Sequence, residues 1–269
     1  MIFGILGLRA AHGNACRERR IVSVIVRDFY LDLLIKVLAN MIYGDPSINP
    51  VNKGPFQAEL REIGYDWPAL AHTMVGLRRL ENVRELTQRA LDERIPGDFI
   101  ETGVWRGGCC ILMRGILAAN EVRDRTVYVA DSFAGLPPPN PQIYPADREM
   151  DLSVHEELAV PLETVKANFA RYGLLDDQVV FVKGLFRNTL SALDAGPFCL
   201  LRLDGDYYES TYDALKNLYP KLSSGGFIII DDFNYLAATR QAVVDYRSRM
   251  GITAPMHQVD WSASWWRKE

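Results

Sequence analysis

Apolar positions along the chain fall into two successive rhythms. From Tyr30, "YLDLLIKVLANMIYG" sets Leu31, Leu34, Ile35, Leu38, Met41 and Ile42 on one helical stripe. The following "GDPSINPVNKGPF" ends that pattern with Pro, Gly and Asn. The second half of "WPALAHTMVGLRRLENVRELTQRALDERIPG" predicts a long amphipathic helix closed by Pro96-Gly97. Beyond Gly97 the rhythm becomes strand, turn, helix. The runs "DFIETG", "TVYVADSF", "VVFVKGLF", "FCLLRLDGD" and "GGFIIIDDF" predict strands. Between and after them, "GGCCILMRGILAANEV", "PLETVKANFARYGL", "STYDALKNLYPKLSS" and "AATRQAVVDYRSRMG" predict helices. Strands that are apolar throughout, alternating with helices, imply an α/β fold with a mostly parallel sheet covered on both faces. "HQVD" and "SASWWRK" predict two last strands, the final one antiparallel at the sheet edge. The chain thus divides into a poorly ordered leader (1–25), an N-terminal helical segment (26–96) and a core (97–269). A long proline-rich loop, "LPPPNPQIYP", follows the second strand and reads as a lid.

Composition narrows the classes of function. With 269 residues, 48% of them hydrophobic, the chain can bury a large α/β core. A net charge of −4, with no basic run interleaved with aromatics, removes electrostatic support for a nucleic-acid partner. No apolar run approaches membrane-spanning length, and the N-terminal stretch lacks the basic region of a signal peptide. Four cysteines without CxxC spacing fit reduced thiols, and a cytoplasmic protein, better than a disulfide framework or a zinc site.

The first predicted strand runs into "ETGVWRGGCC", a glycine turn before a helix. Such a turn lets backbone approach a ligand at the helix N-terminus. It is not a dinucleotide fingerprint, because Trp105 stands where a pyrophosphate needs glycine, and Glu101 would repel phosphate. A carboxylate there suits the ammonium of S-adenosylmethionine. Asp131, ending the second strand, suits ribose hydroxyls, and Phe186 after the third strand suits adenine. The expected cofactor contacts are Glu101, Thr102, Gly103, Val104, Trp105 and Gly107 from the turn. Asp131, Ser132 and Phe133 join them from the second strand, and Gly184 and Phe186 from the third.

Two further strands each end in a pair of carboxylates: Asp204 and Asp206, then Asp231 and Asp232. In a parallel sheet these ends share one rim, so the carboxylates would converge and repel unless a hard cation such as Mg²⁺ sat among them. A cation there would lower the pKa of an acceptor hydroxyl, and a nearby carboxylate outside its shell could take the proton. Asp204, Asp231 and Asp232 are assigned to the metal and Asp206 to the base; spacing alone leaves open which member of "DGD" faces the ion.

Taken together, "AHTMVGLRRLENV", "GDFIETGVWRGG", "VADSFAGLP", "LRLDGDYYESTYDALKNLYPKLSSGGFIIIDDF" and "AVVDYR" resemble the macrocin O-methyltransferase family of antibiotic biosynthesis. The resemblance implies a class I, Rossmann-like methyltransferase fold. It also implies S-adenosylmethionine and Mg²⁺ as cofactors, a sugar hydroxyl of a glycosylated natural product as acceptor, and a homo-oligomer. It implies metal ligands at Asp204, Asp231 and Asp232, a base at Asp206, and Thr73 and Met74 as part of a lid over the cofactor.

Other chemistry is open to the same motifs. A catechol-type O-methyltransferase would use the same metal on an aromatic diol. "DGD" also fits a metal-dependent glycosyltransferase, against which Glu101 argues; a silent scaffold has no need of four gathered carboxylates. His72, His257, Cys109 and Cys110 read as structural. Trp261, Trp265 and Trp266 could stack on a sugar or pack an edge strand.

Overall fold

The computed structural model describes residues 24–269. Helix α1 spans residues 24–38, so residues 24 and 25, expected in the leader, belong to a helix; the rest of that leader lies outside the described residues. A short α2 (Ala58–Glu62) and the long α3 (Gly76–Asp92) complete the N-terminal segment. The core then alternates β1 (Asp98–Thr102), α4 (Gly108–Ala119), β2 (Val127–Asp131), α5 (Leu162–Arg171) and β3 (Val179–Lys183). It continues with α6 (Phe186–Thr189), β4 (Phe198–Leu203), α7 (Tyr208–Leu218), β5 (Leu222–Ile230) and α8 (Ala237–Met250). Two strands close the chain, β6 (His257–Gln258) and β7 (Ser264–Arg267).

The strands form one seven-stranded sheet in the order β3-β2-β1-β4-β5-β7-β6. Strands β1 to β5 pair in parallel, as their unbroken apolar runs require, and every residue of β4 is buried. β7 is antiparallel to β5, but it is not the edge strand that its sequence suggested. It inserts between β5 and β6, so Trp266 becomes wholly buried core. On β7, Trp266 packs on Tyr219 and Trp265 on Phe227.

Helices cover both faces. On one, α1, α3, α4 and α5 meet Phe99, Val127 and Val129 through Leu34, Leu80, Leu86, Ile111 and Phe169. On the other, Leu215, Leu218, Val243 and Tyr246 of α7 and α8 cover Ile100, Leu201, Ile228 and Ile230. α4 is buried almost all round because it is sandwiched between the sheet and α1; a Cβ on Gly115 would stand 2.6 Å from a methyl of Leu34. The carboxyl ends of β1 to β5 therefore share one rim, the place where parallel α/β sheets bind ligands.

Candidate active site

The β1 turn is built by close approach. Gly103 has φ +80, and a Cβ there would lie 1.7 Å from the carbonyl oxygen of Asp204, so only glycine lets the ends of β1 and β4 close up. Gly107, at φ +88, caps α4 in the left-handed conformation. The N-terminal segment is laid over this turn: the Gly108 N–H donates to the His72 carbonyl at 2.9 Å, and Arg106 donates to the carbonyls of Pro68 and Ala71. From the other side, the Trp105 indole N–H donates to the Glu157 carbonyl at 2.9 Å and ties the turn to the loop after β2.

Asp131 accepts from the Val104 N–H at 2.8 Å and the Phe133 N–H at 2.7 Å, so it organises the glycine turn. Glu101 is buried and its oxygens are held by Arg202 at 2.5 Å and the Cys110 thiol at 2.8 Å. Its charge is thereby matched inside the protein, at a position that also lines the cleft. Burial pushes both Glu101 and Asp131 above the ordinary carboxylate range.

At the adjoining strand ends the four aspartates do not play equal parts. One oxygen from each of Asp204, Asp206 and Asp232 lies within 4.8 Å of the others. Asp204 also accepts from Arg202 at 2.8 Å, and Asp232 from the Ser262 hydroxyl at 2.8 Å. Asp206 sits at φ +59, a left-handed position that turns the chain sharply after β4. Asp231 faces inward, with one oxygen on Arg202 and the other 2.5 Å from Arg79, whose Nε lies 3.1 Å from Asp260. Charges therefore alternate in a buried row: Glu101, Arg202, Asp231, Arg79, Asp260.

Burial, and then the charges of Asp231 and Asp232 respectively, push Asp204 and Asp206 well above the usual carboxylate range. Burial and the neighbouring Asp231 raise Asp232 to about 6. Three carboxylates in this state call for protons or for a cation. The donor set is all oxygen and partly buried, which fits a hard divalent ion such as Mg²⁺ and not zinc.

The Gly103 turn, Glu101, Asp131, the four aspartates, Arg79 and Arg202 line one cleft of about 500 Å³. Of the residues singled out from sequence, it gathers Thr73, Met74, Glu101, Gly103, Val104, Trp105, Asp131, Ser132, Gly184, Phe186 and the four aspartates. Thr102, Gly107 and Phe133 stand behind its wall: Thr102 is fully buried in β1, Gly107 abuts Val165, and Phe133 packs on Phe181. His72, Cys109 and Cys110 are held in packed surroundings: the His72 Nδ1 lies 2.6 Å from the Tyr172 hydroxyl, and the two thiols are buried in α4. Sequence reasoning passed over Arg79 and Arg202. The signal was plain for Arg202, the one polar residue of the buried run Phe198–Leu203, which must find an anionic partner there; Arg79 shares its buried face with Asn82 and Thr87.

With the geometry in hand, comparison with known proteins is decisive. Residues 46–268 match the family model described as Macrocin-O-methyltransferase (TylF). The chain belongs to this family. It is an O-methyltransferase with the class I α/β fold. It is 52% identical over 90% of its length, and 93% of the relative, to the 8-demethyl-8-(2,3-dimethoxy-alpha-L-rhamnosyl)-tetracenomycin-C 4'-O-methyltransferase of Streptomyces olivaceus. It is 47% identical over 89% of its length, and 93% of the relative, to the demethyldecarbamoylnovobiocin O-methyltransferase of Streptomyces niveus. The solved structure of the O-methyltransferase NovP superposes with a TM-score of 0.87 at 47% identity, covering 90% of this chain and 99% of that one. Membership in the macrocin-O-methyltransferase family removes the glycosyltransferase alternative. No helix among the described residues is long and apolar enough to cross a membrane.

Proposed function

We propose that this O-methyltransferase transfers a methyl group from S-adenosylmethionine to a sugar hydroxyl of a glycosylated natural product, with Mg²⁺ at the aspartate cluster. The observation that carries the reading is the three-carboxylate group of Asp204, Asp206 and Asp232, set in the same cleft as the Gly103 turn and Asp131. The substrates named for the relatives, a rhamnosyl tetracenomycin and a novobiocin precursor, support a glycoside as acceptor.

Asp204 and Asp232 would hold the cation, and Asp231, also expected to hold it, lies beside them with its oxygens on Arg79 and Arg202. When bound, the cation supplies Lewis acidity to the acceptor hydroxyl and S-adenosylmethionine supplies the methyl group. The remaining work is done by this chain. Asp206 takes the hydroxyl proton; it stands next to the ligand pair on a turn with its own backbone carbonyl fixed by the Thr239 hydroxyl at 2.5 Å. Asp131 and the Gly103 turn seat the nucleoside side of the donor, Gly184 and Phe186 flank it, and Thr73 and Met74 close over it. Holding donor and acceptor in line removes the entropic part of the barrier.

The exposed apolar side chains of α1, including Phe29 and Leu33, support a homo-oligomer, and the buried thiols support a cytoplasmic setting. Calorimetry with S-adenosylmethionine, with and without Mg²⁺, followed by product analysis on a panel of glycosides, tests the reading. Methyl transfer at full rate in chelator would remove the metal from it, and transfer to a catechol but to no glycoside would replace the sugar.

A further inference from the structure

Read along the sheet, the cleft has a direction. The turn of β1, Asp131 of β2 and Gly184 after β3 lie at one end, and the aspartates of β4 and β5 lie in the middle. Beyond β5, on the side away from β2 and β3, stands an aromatic corner that the methyl-transfer chemistry does not use. Trp261, in the connection from β6 to β7, is its centre. Its indole N–H donates to the Ile63 carbonyl at 2.8 Å. Tyr65 and Tyr235 meet it edge-on, with ring centroids at 5.4 Å and 5.0 Å.

The corner is fixed to the aspartates on both sides. The Tyr235 N–H donates to the Asp232 carbonyl, and Ser262, next to Trp261, holds the Asp232 carboxylate. Exposure rises outward, from 4% at Asp231 to 43% at Tyr65 and 58% at Tyr235, and all line the same cleft. A sugar whose hydroxyl reaches the aspartates fills the inner part. Whatever is attached to that sugar then meets the three aromatic rings, whose large rigid apolar surface favours another ring over chain or charge.

We propose that Tyr65, Tyr235 and Trp261 form a subsite for the aglycone, and that it selects a flat, apolar, ring-containing one. The assignment rests on the sugar O-methyltransferase reading above and goes beyond it, because it makes the non-sugar part of the acceptor a determinant of affinity.

The test uses the whole enzyme and 2,3-di-O-methyl-α-L-rhamnose, the sugar of the tetracenomycin relative's substrate, as its naphthyl and its methyl glycoside. The wild-type KM for the naphthyl glycoside is expected to be about tenfold below that for the methyl glycoside. Tyr235→Ala, at an exposed position, is expected to remove much of that difference, and Trp261→Phe, which keeps a ring, a smaller part of it. They do so by raising only the naphthyl KM, with S-adenosylmethionine affinity and kcat unchanged. Equal wild-type KM values, or parallel shifts for both glycosides in the variants, overturn the aglycone subsite alone. A wild-type enzyme that binds S-adenosylmethionine but methylates neither these glycosides nor any of the wider panel sinks the sugar reading, and the subsite with it.

Discussion

Arg202 and Asp231 meet between β4 and β5 with 1% and 5% of their side chains exposed. The same guanidinium also holds Glu101 and Asp204, so one cation balances anions from three strand ends. Arg202→Met leaves those carboxylates buried without a partner. A loss of about 3–5 kcal/mol is expected, as for other broken buried pairs, read from urea denaturation midpoints. Arg202→Lys should recover only part of it, because a point charge cannot serve three acceptors in a fixed plane.

Asp206, the proposed base, is expected to differ from its neighbours in what its loss does. Asp206→Asn is expected to leave the calorimetric affinity for S-adenosylmethionine unchanged while kcat falls by about 10²–10⁴, the usual contribution of a general base. An unchanged kcat would move the base elsewhere in the cleft.

Asp232 reports on the cation. Chelation should abolish turnover and added Mg²⁺ restore it, and Asp232→Asn should shift the Mg²⁺ concentration for half-maximal rate upward. Mg²⁺ titration without acceptor, followed by calorimetry, gives the same shift independently of activity.

Two glycines are expected to be intolerant of even a methyl group. Gly103→Ala sets a Cβ against the Asp204 carbonyl, and Gly108→Ala sets one 2.5 Å from the His72 carbonyl. Neither neighbour can give way without moving a strand end or the lid segment. Each variant should lose at least about 2 kcal/mol of stability, measured by thermal denaturation, with Gly103→Ala the worse because its φ of +80 adds strain.

His72 makes stability depend on pH. Burial, then the charges of Arg171 and Arg106, lowers its pKa from 6.5 to about 4. The fold thus holds it neutral, while the unfolded chain takes up a proton below 6.5. Its contribution is complete above that pH and is lost as pH falls toward 4. The melting temperature of the wild type should therefore fall more between pH 7 and pH 5 than that of His72→Gln.

How much of this was legible in the chain depends on range. The run Phe198–Leu203 announces a strand covered on both faces, and the neighbouring carboxylate pairs announce a shared rim, because both follow from local pattern and parallel topology. The fate of Glu101 could not be read locally, since its partner Arg202 lies 101 positions away. The same holds for Asp231, whose orientation depends on Arg79 from a helix 152 positions earlier. β7 alternates as a strand should, but alternation says nothing about which neighbours a strand joins. The seat between β5 and β6 is a property of the finished sheet.

That seat has a practical corollary. β7 runs antiparallel to β5, with Ser264 beside Ile230 and Arg267 beside Phe227, so the chain leaves the sheet on the rim opposite the aspartates. A fusion partner or a surface tether attached after Glu269 would hang from the underside of the molecule, leaving the mouth of the cleft open to bulky acceptors.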